Sequence, residues 1–195
     1  MGKQYFKEES TKRLFIAVEF PDVVKDKILL FQNELKKVVS GNVKWVEREN
    51  FHITLRFLGE IPEEMIEDIK KIMDEVVKYF SPFYISFDIF GAFPSLNSPR
   101  VLWIGIKDGL EDLQTLYSVL EKRIVMEGFP KEDKNFSPHL TIGRVKDRIK
   151  ITQEIKMPIE DRIYIDEIIL FESKLTPQGP IYSPLYRSKF HRETT

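Results

Sequence analysis

His52 and His139 are two of only three histidines in this 195-residue chain, and each opens the same short pattern. The first reads His52-Ile53-Thr54-Leu55-Arg56-Phe57-Leu58-Gly59. The second comes 87 positions later and reads His139-Leu140-Thr141-Ile142-Gly143-Arg144-Val145. Both are His-x-Thr-x with aliphatic residues in the second and fourth places. In a β-strand, alternate residues share a face. His52 then shares a face with Thr54, and His139 with Thr141, while Ile53, Leu55, Leu140 and Ile142 turn towards a core. Two imidazoles facing one cleft suit concerted acid–base chemistry at phosphorus. One, neutral, takes a proton from the attacking oxygen; the other, protonated, gives one to the leaving oxygen. Histidine titrates near neutrality, so both forms are available at working pH. A threonine hydroxyl beside each can donate to a non-bridging phosphate oxygen without adding charge. Such a site requires no metal and no cofactor.

The elements that must position these residues follow from periodicity. Arg13 to Phe20 is a compact apolar run, read as a buried strand. Val24, Ile28, Phe31, Leu35 and Val38 recur at helical spacing, which predicts a helix over 22–39. A short strand at Val43–Val46 precedes the first motif strand, 51–58, closed by Gly59. Pro62 opens a second predicted helix with Met65, Ile66, Ile69, Ile72, Met73, Val76 and Val77 inward. Strands follow at 83–90 and 100–106, separated by a loop over 91–99. Asp108 and Glu111 predict a capping box for a third helix, with Leu110, Leu113, Tyr117, Leu120 and Ile124 inward. The second motif strand covers 137–146. A strand over 162–171, a turn region over 172–180 and a strand over 181–190 complete the chain.

A strand, a helix and a His-x-Thr strand occur in order in 13–58 and again in 100–145. Arg13 precedes His52 by 39 positions, and Arg100 precedes His139 by the same 39. This predicts an internal duplication and two α+β lobes related by a pseudo-twofold. No Pro/Gly/Ser linker divides them, so residues 1–195 are read as a single bilobed domain.

Composition narrows the chemistry. There is no cysteine, which excludes disulfides, thiol catalysis and Cys-ligated metal. The histidines have neither His-x-x-x-His nor His-Glu-x-x-His spacing, which argues against a metal site. Thirty basic and 31 acidic residues leave a net charge of −1, against duplex binding as the main role but compatible with a local phosphate cleft. Hydrophobic residues are 42%, enough for a sizeable core. No apolar run has membrane-spanning length, and the start of the chain has no apolar segment of the signal-peptide kind. The expectation is a cytoplasmic protein with no membrane partner.

Around the motifs, several readings stay open. Arg144 is either a phosphate-binding guanidinium or a solvated arginine at a strand end. Phe57, at the matching place, either stacks on a nucleobase or packs in the core. Arg56 shares the parity of His52 and Thr54, which would put it in the cleft. Arg13 and Arg100 are structural as readily as functional. Trp45 and Trp103 are read as core, and His191 as a tail residue without a role.

Over nearly its whole length the chain resembles the two-histidine phosphoesterase superfamily. Within it, the resemblance is to the RNA 2′,3′-cyclic phosphodiesterases, also called 2′-5′ RNA ligases or LigT-like proteins. It is carried by residues 13–18 and 52–59, by Pro99-Arg100-Val101-Leu102-Trp103, by Phe136-Ser137-Pro138-His139-Leu140-Thr141-Ile142, and by Leu170-Phe171-Glu172-Ser173. It implies a bilobed α+β fold, with antiparallel sheets flanking a central cleft and helices on the outside. It implies RNA ends or nucleotides carrying a 2′,3′-cyclic phosphate as substrate and a 2′-phosphate product; the expectation for the assembly is a monomer. His52 would be the donor to the leaving 3′-oxygen, His139 the base for water, and Thr54 and Thr141 the holders of phosphate oxygens. Arg144 would lie near the phosphate. Joining of tRNA halves by a 2′-5′ linkage would be the reverse use of the same pair. The rival reading is a non-catalytic RNA- or nucleotide-binding module with the same cleft. Two complete His-x-Thr pairs argue against it, because binding alone does not need two proton-transfer groups.

Overall fold

The computed structural model describes residues 10–133, 135–151, 159 and 162–191. The first apolar run forms β1 (Thr11–Glu19), and Pro21-Asp22 turns the chain into α1 (Asp22–Val38). Val24, Ile28, Phe31 and Leu35 are the buried stripe of α1. Short strands β2 (Val39–Ser40) and β3 (Val43–Trp45) lead through a 3-10 turn at Arg48–Asn50 into β4 (His52–Pro62). β4 runs past Gly59, because Glu60, Ile61 and Pro62 go on pairing with Arg13, Lys12 and Thr11. Pro62 therefore ends a strand and does not open the second helix. That helix, α2 (Ile66–Val77), starts behind a 3-10 turn at Glu63–Met65.

Next come β5 (Phe83–Ile85), β6 (Phe87–Phe93), β7 (Val101–Ile106) and α3 (Leu110–Met126). The expected capping box does not form. Gly109, at φ 74°, precedes α3 without a side-chain cap, while the Asp108 carboxylate accepts the Ser86 hydroxyl at 2.5 Å. The local bond to a neighbouring turn wins over the helix end. The chain finishes with β8 (His139–Val145), β9 (Lys150–Ile151), β10 (Ile163–Ile165), β11 (Glu167–Thr176) and β12 (Gly179–Lys189). The expected long turn over 172–180 shrinks to a tight hairpin between Thr176 and Gly179, and the strand expected over 162–171 is divided at Asp166.

Two four-stranded antiparallel sheets carry the structure, in the orders β12-β11-β1-β4 and β3-β8-β7-β6. Leu14, Ile16, Val18, Ile53 and Leu55 of the first share one core with Leu102, Ile104, Leu140 and Ile142 of the second. Burying such a side chain fully contributes about 1.5–3 kcal/mol. A one-residue slip would turn these sets to the wrong face, so the burial pattern fixes the register.

The two halves interlock. α1 follows β1 of the first sheet but packs on the second, with Phe31 6.2 Å from Phe90. The buried Gln32 amide donates to the carbonyls of Val46 (2.8 Å) and Ile142 (3.0 Å). α3 follows β7 of the second sheet but reaches β4 of the first through Glu121 and Arg56.

Both motif strands are bulged at the same place. Ile16 lies opposite Arg56 and Ala17 opposite Thr54, which leaves Leu55 as an extra residue. Leu102 lies opposite Gly143 and Trp103 opposite Thr141, which leaves Ile142 as the extra one. Ala17 and Trp103 thus hold matching places, so β1 and β7 stand one residue out of step with the motif strands. The equal 39-residue lead-ins are not kept by the sheet register, and Arg13 and Arg100 do not occupy equivalent positions.

Candidate active site

His52 and His139 each open a strand, and the backbone just before each one orients its ring. His52 Nδ1 lies 2.7 Å from the Asn50 carbonyl oxygen, and His139 Nδ1 lies 2.7 Å from the Ser137 carbonyl oxygen. A carbonyl only accepts, so both Nδ1 atoms carry the proton. The neutral rings then present Nε2 as an acceptor. At His52 that acceptor is taken by the Thr54 hydroxyl, which donates to it at 2.9 Å. Both histidines and both threonines line one cleft of about 630 Å³.

The matched bulges decide what comes next in each motif. An extra residue after the threonine resets the alternation, so the third residue beyond it faces the cleft instead of the second. Phe57 and Arg144 therefore line the cleft. Phe57 is 43% exposed and lies 5.5 Å from the Phe15 ring. Arg144 is exposed and makes no ion pair among the described residues, so its charge is free to face an anion.

Arg56 is turned the other way. It is only 6% exposed and does not line the cleft. Its Nε donates to Glu121 Oε2 at 2.5 Å and its Nη1 to Glu132 Oε1 at 2.7 Å. It also donates to the backbone carbonyls of Phe57 and Pro130. Simple strand parity placed Arg56 in the cleft; the bulge at Leu55 breaks that parity.

Each histidine has an aromatic bed. Phe15 lies 5.0 Å from the His52 ring, and Tyr182 meets it edge-on at 5.3 Å. Phe93 meets His139 edge-on at 5.1 Å, with Trp103 at 6.4 Å. Trp103 is thus the floor beside His139 more than a core residue. It lies so close over Gly91 that a Cβ there would come within 2.4 Å of the indole. Trp45 packs on the core as expected and also forms part of the cleft rim, with Lys36 Nζ 5.7 Å over its ring.

These beds set the resting protonation. Burial pushes His52 down to about 4, with Lys25 and Arg144 adding to the effect and the Asn50 carbonyl and Glu19 opposing it. Burial also lowers His139, aided by Arg144 and opposed by the Ser137 carbonyl. Both imidazoles are therefore neutral in the empty cleft near pH 7, and an arriving phosphate anion favours the charged form of whichever ring it touches.

Three cleft features had no signature in the sequence. Tyr182 enters from β12 beside Ser173, two strands away from β1. Lys44, on β3, stands opposite Arg144 and reaches the turn at Gly179. The 176–181 hairpin forms one lip. Only the order of strands in the two sheets brings these to the motifs. Among the described residues no group of acidic and histidine side chains is arranged to hold a metal ion.

The family model for LigT like phosphoesterases matches this chain twice, over residues 18–103 and 104–182. The RNA 2′,3′-cyclic phosphodiesterase of Archaeoglobus fulgidus is 42% identical over 177 residues, covering 89% of this chain and 97% of that protein. The protein of the same name from Thermotoga maritima is 37% identical over 182 residues, covering 91% and 95%. A crystal structure from Thermus thermophilus superposes with a TM-score of 0.78 at 27% identity, over 93% of this chain and 99% of that one. E. coli LigT, crystallised with 3′-AMP, has a TM-score of 0.76 at 22% identity over 94% and 100% of the two chains, a likeness of fold.

Proposed function

The chain belongs to the LigT-like phosphoesterase family, and from that premise we propose that it opens the terminal 2′,3′-cyclic phosphate of RNA to a 2′-phosphate, with His52 and His139 as the proton-transfer pair. The observation that carries this is the matched presentation of the two rings. Each Nδ1–H is tied to a carbonyl two residues earlier, and each ring shares the cleft with its threonine. The double family match supports a duplicated single domain.

In this reading His139 Nε2 takes a proton from water as the water oxygen attacks phosphorus. The P–O3′ bond breaks, and His52, protonated in the complex, gives its Nε2 proton to O3′. The water oxygen stays on the 2′-phosphate, and proton exchange with solvent resets the pair. When His52 is charged, Nε2 becomes a donor, so the Thr54 hydroxyl is released from it and can turn to a phosphate oxygen. Arg144 faces the same anion, and Phe57 and Tyr182 offer faces for the base. With a 5′-hydroxyl in place of water, the reverse reaction makes a 2′-5′ linkage.

Turnover of a 2′,3′-cyclic nucleotide, with the product isomer identified by phosphorus NMR, tests the proposal. A 3′-phosphate product, or none, sinks it. The threonines give a second check. Thr54→Val and Thr141→Val should each lower kcat about 10²-fold, as loss of one pre-placed donor does, while Thr→Ser at either place should keep most activity.

The pH dependence follows from the lowered pKa values. The kcat/KM profile reports the free enzyme. There the required state, His52 protonated and His139 neutral, is best populated on the acid side of the ordinary histidine value, because both rings are shifted down. The kcat/KM optimum should lie below 6.5, and the kcat optimum should lie higher because the bound anion raises His52. A kcat/KM maximum on the alkaline side would contradict the assignment.

A further inference from the structure

We infer that a basic groove adjoining the cleft binds the phosphodiester backbone of the RNA upstream of its cyclic end; this rests on, and extends, the function proposed above. The groove, about 990 Å³, is bordered by residues 40–41, 97–100 and 145–150. Lys146 lines both the groove and the catalytic cleft, so the two adjoin. Among the described residues they together hold six cations, Lys44, Arg100, Arg144, Lys146, Arg148 and Lys150, against two carboxylates, Glu47 and Asp147. The chain as a whole has 30 basic and 31 acidic residues, so this is a local concentration. All six cations are exposed, and none makes an ion pair among the described residues. Asp147 is partly occupied, because its Oδ1 accepts the backbone N–H of Arg148 at 2.7 Å.

The chemistry of the substrate calls for such a path. A terminal nucleotide whose cyclic phosphate sits between His52 and His139 is joined through its 5′-oxygen to the rest of the strand, which must leave the cleft. The cleft is asymmetric. Phe57 and Tyr182 come from the first sheet; Lys44 and Arg144, with Trp45 at the rim, come from the second, so the cations lie on one side only. A base on the aromatic wall leaves the sugar–phosphate side towards the cations, and these lead over the end of β8 into the groove. Among the described residues the groove itself is lined by no aromatic side chain. It therefore suits phosphates and not bases, and sets position without reading sequence.

The test compares a 2′,3′-cyclic mononucleotide with a short single-stranded RNA ending in a 2′,3′-cyclic phosphate. In the Arg100→Glu/Arg148→Glu protein, the ratio of kcat/KM for the RNA to that for the mononucleotide should fall on the order of tenfold. Anisotropy of the same RNA ended by a labelled 2′-phosphate needs no turnover. Its affinity should fall likewise, with the log–log salt dependence shallower by about 0.7 for each phosphate that is no longer neutralised. Arg100→Gln/Arg148→Gln should give a smaller loss in the same direction. An unchanged ratio with unchanged binding and salt slope overturns the groove. If the wild-type protein turns over neither substrate yet binds RNA with this charge dependence, the groove stands and the cyclic phosphodiesterase reading falls.

Discussion

Replacing His139 with alanine should lower kcat on a 2′,3′-cyclic nucleotide by about 10³-fold, and replacing His52 should do the same, within the 10²–10⁴ typical of a lost proton-transfer group. Because the two protons move in one displacement, the double variant should be scarcely worse than either single one. Additive losses would show that the rings act independently. Both rings are half-buried at the cleft and not in the main core, so the fold should survive. Binding of a 2′-phosphate-ended RNA should persist, because Arg144 and the threonines remain; full retention of turnover in either variant would end the proposal. The roles can then be separated chemically. A phosphodiester with a p-nitrophenolate leaving group needs little help from an acid. It should restore much of the rate to His52→Ala and little to His139→Ala. The opposite pattern would exchange the two roles.

What the sequence made legible was the part governed by local periodicity. His52 and Thr54, and His139 and Thr141, share faces as their spacing requires, and the aliphatic residues between them are in the core. What it could not show was the bulge. Nothing in Leu55 or Ile142 marks either as an extra residue, because a bulge is a property of two paired strands and its partners lie far away in the chain. Parity counting was therefore right up to the threonines and wrong one step later. It put Arg56 in the cleft, where Phe57 stands. In the second motif the matching residue is Gly143, beside which Val43, Trp45 and Leu102 leave no room for a Cβ. Tyr182 and Lys44 were hidden for a related reason. They are neighbours of the motifs only through sheet order, and β3 crosses from the first half of the chain into the second sheet. The helix-cap prediction failed for a smaller reason: Ser86, 22 positions away, takes the Asp108 carboxylate.

Arg56→Met should be the most destabilising single change near the site, although Arg56 touches no substrate. It would leave Glu121 and Glu132 without their cation, and Glu121 is only 8% exposed. Breaking a buried pair in this way costs about 3–5 kcal/mol, which in a chain of this size lowers Tm by roughly 10 °C. The network also ties the two motifs together. Arg56 donates to the carbonyl of Phe57 on its own strand, and to that of Pro130 on the segment leading to Ser137 and His139. Glu121 holds the same segment by accepting the Glu132 N–H at 2.8 Å. A clamp of this kind has a signature that loss of stability alone lacks. In Arg56→Met/Glu121→Met the buried orphaned charge is gone and only the part-exposed Glu132 is left unpaired, so much of the lost Tm should return, since apolar replacement of a buried pair is often neutral. If Arg56 and Glu121 also position the approach to His139, kcat should stay depressed in that double variant, measured well below its Tm, with KM little changed. Recovery of kcat together with Tm would reduce the network to a structural one. Wild-type stability in Arg56→Met would show that Glu121 and Glu132 are satisfied without it.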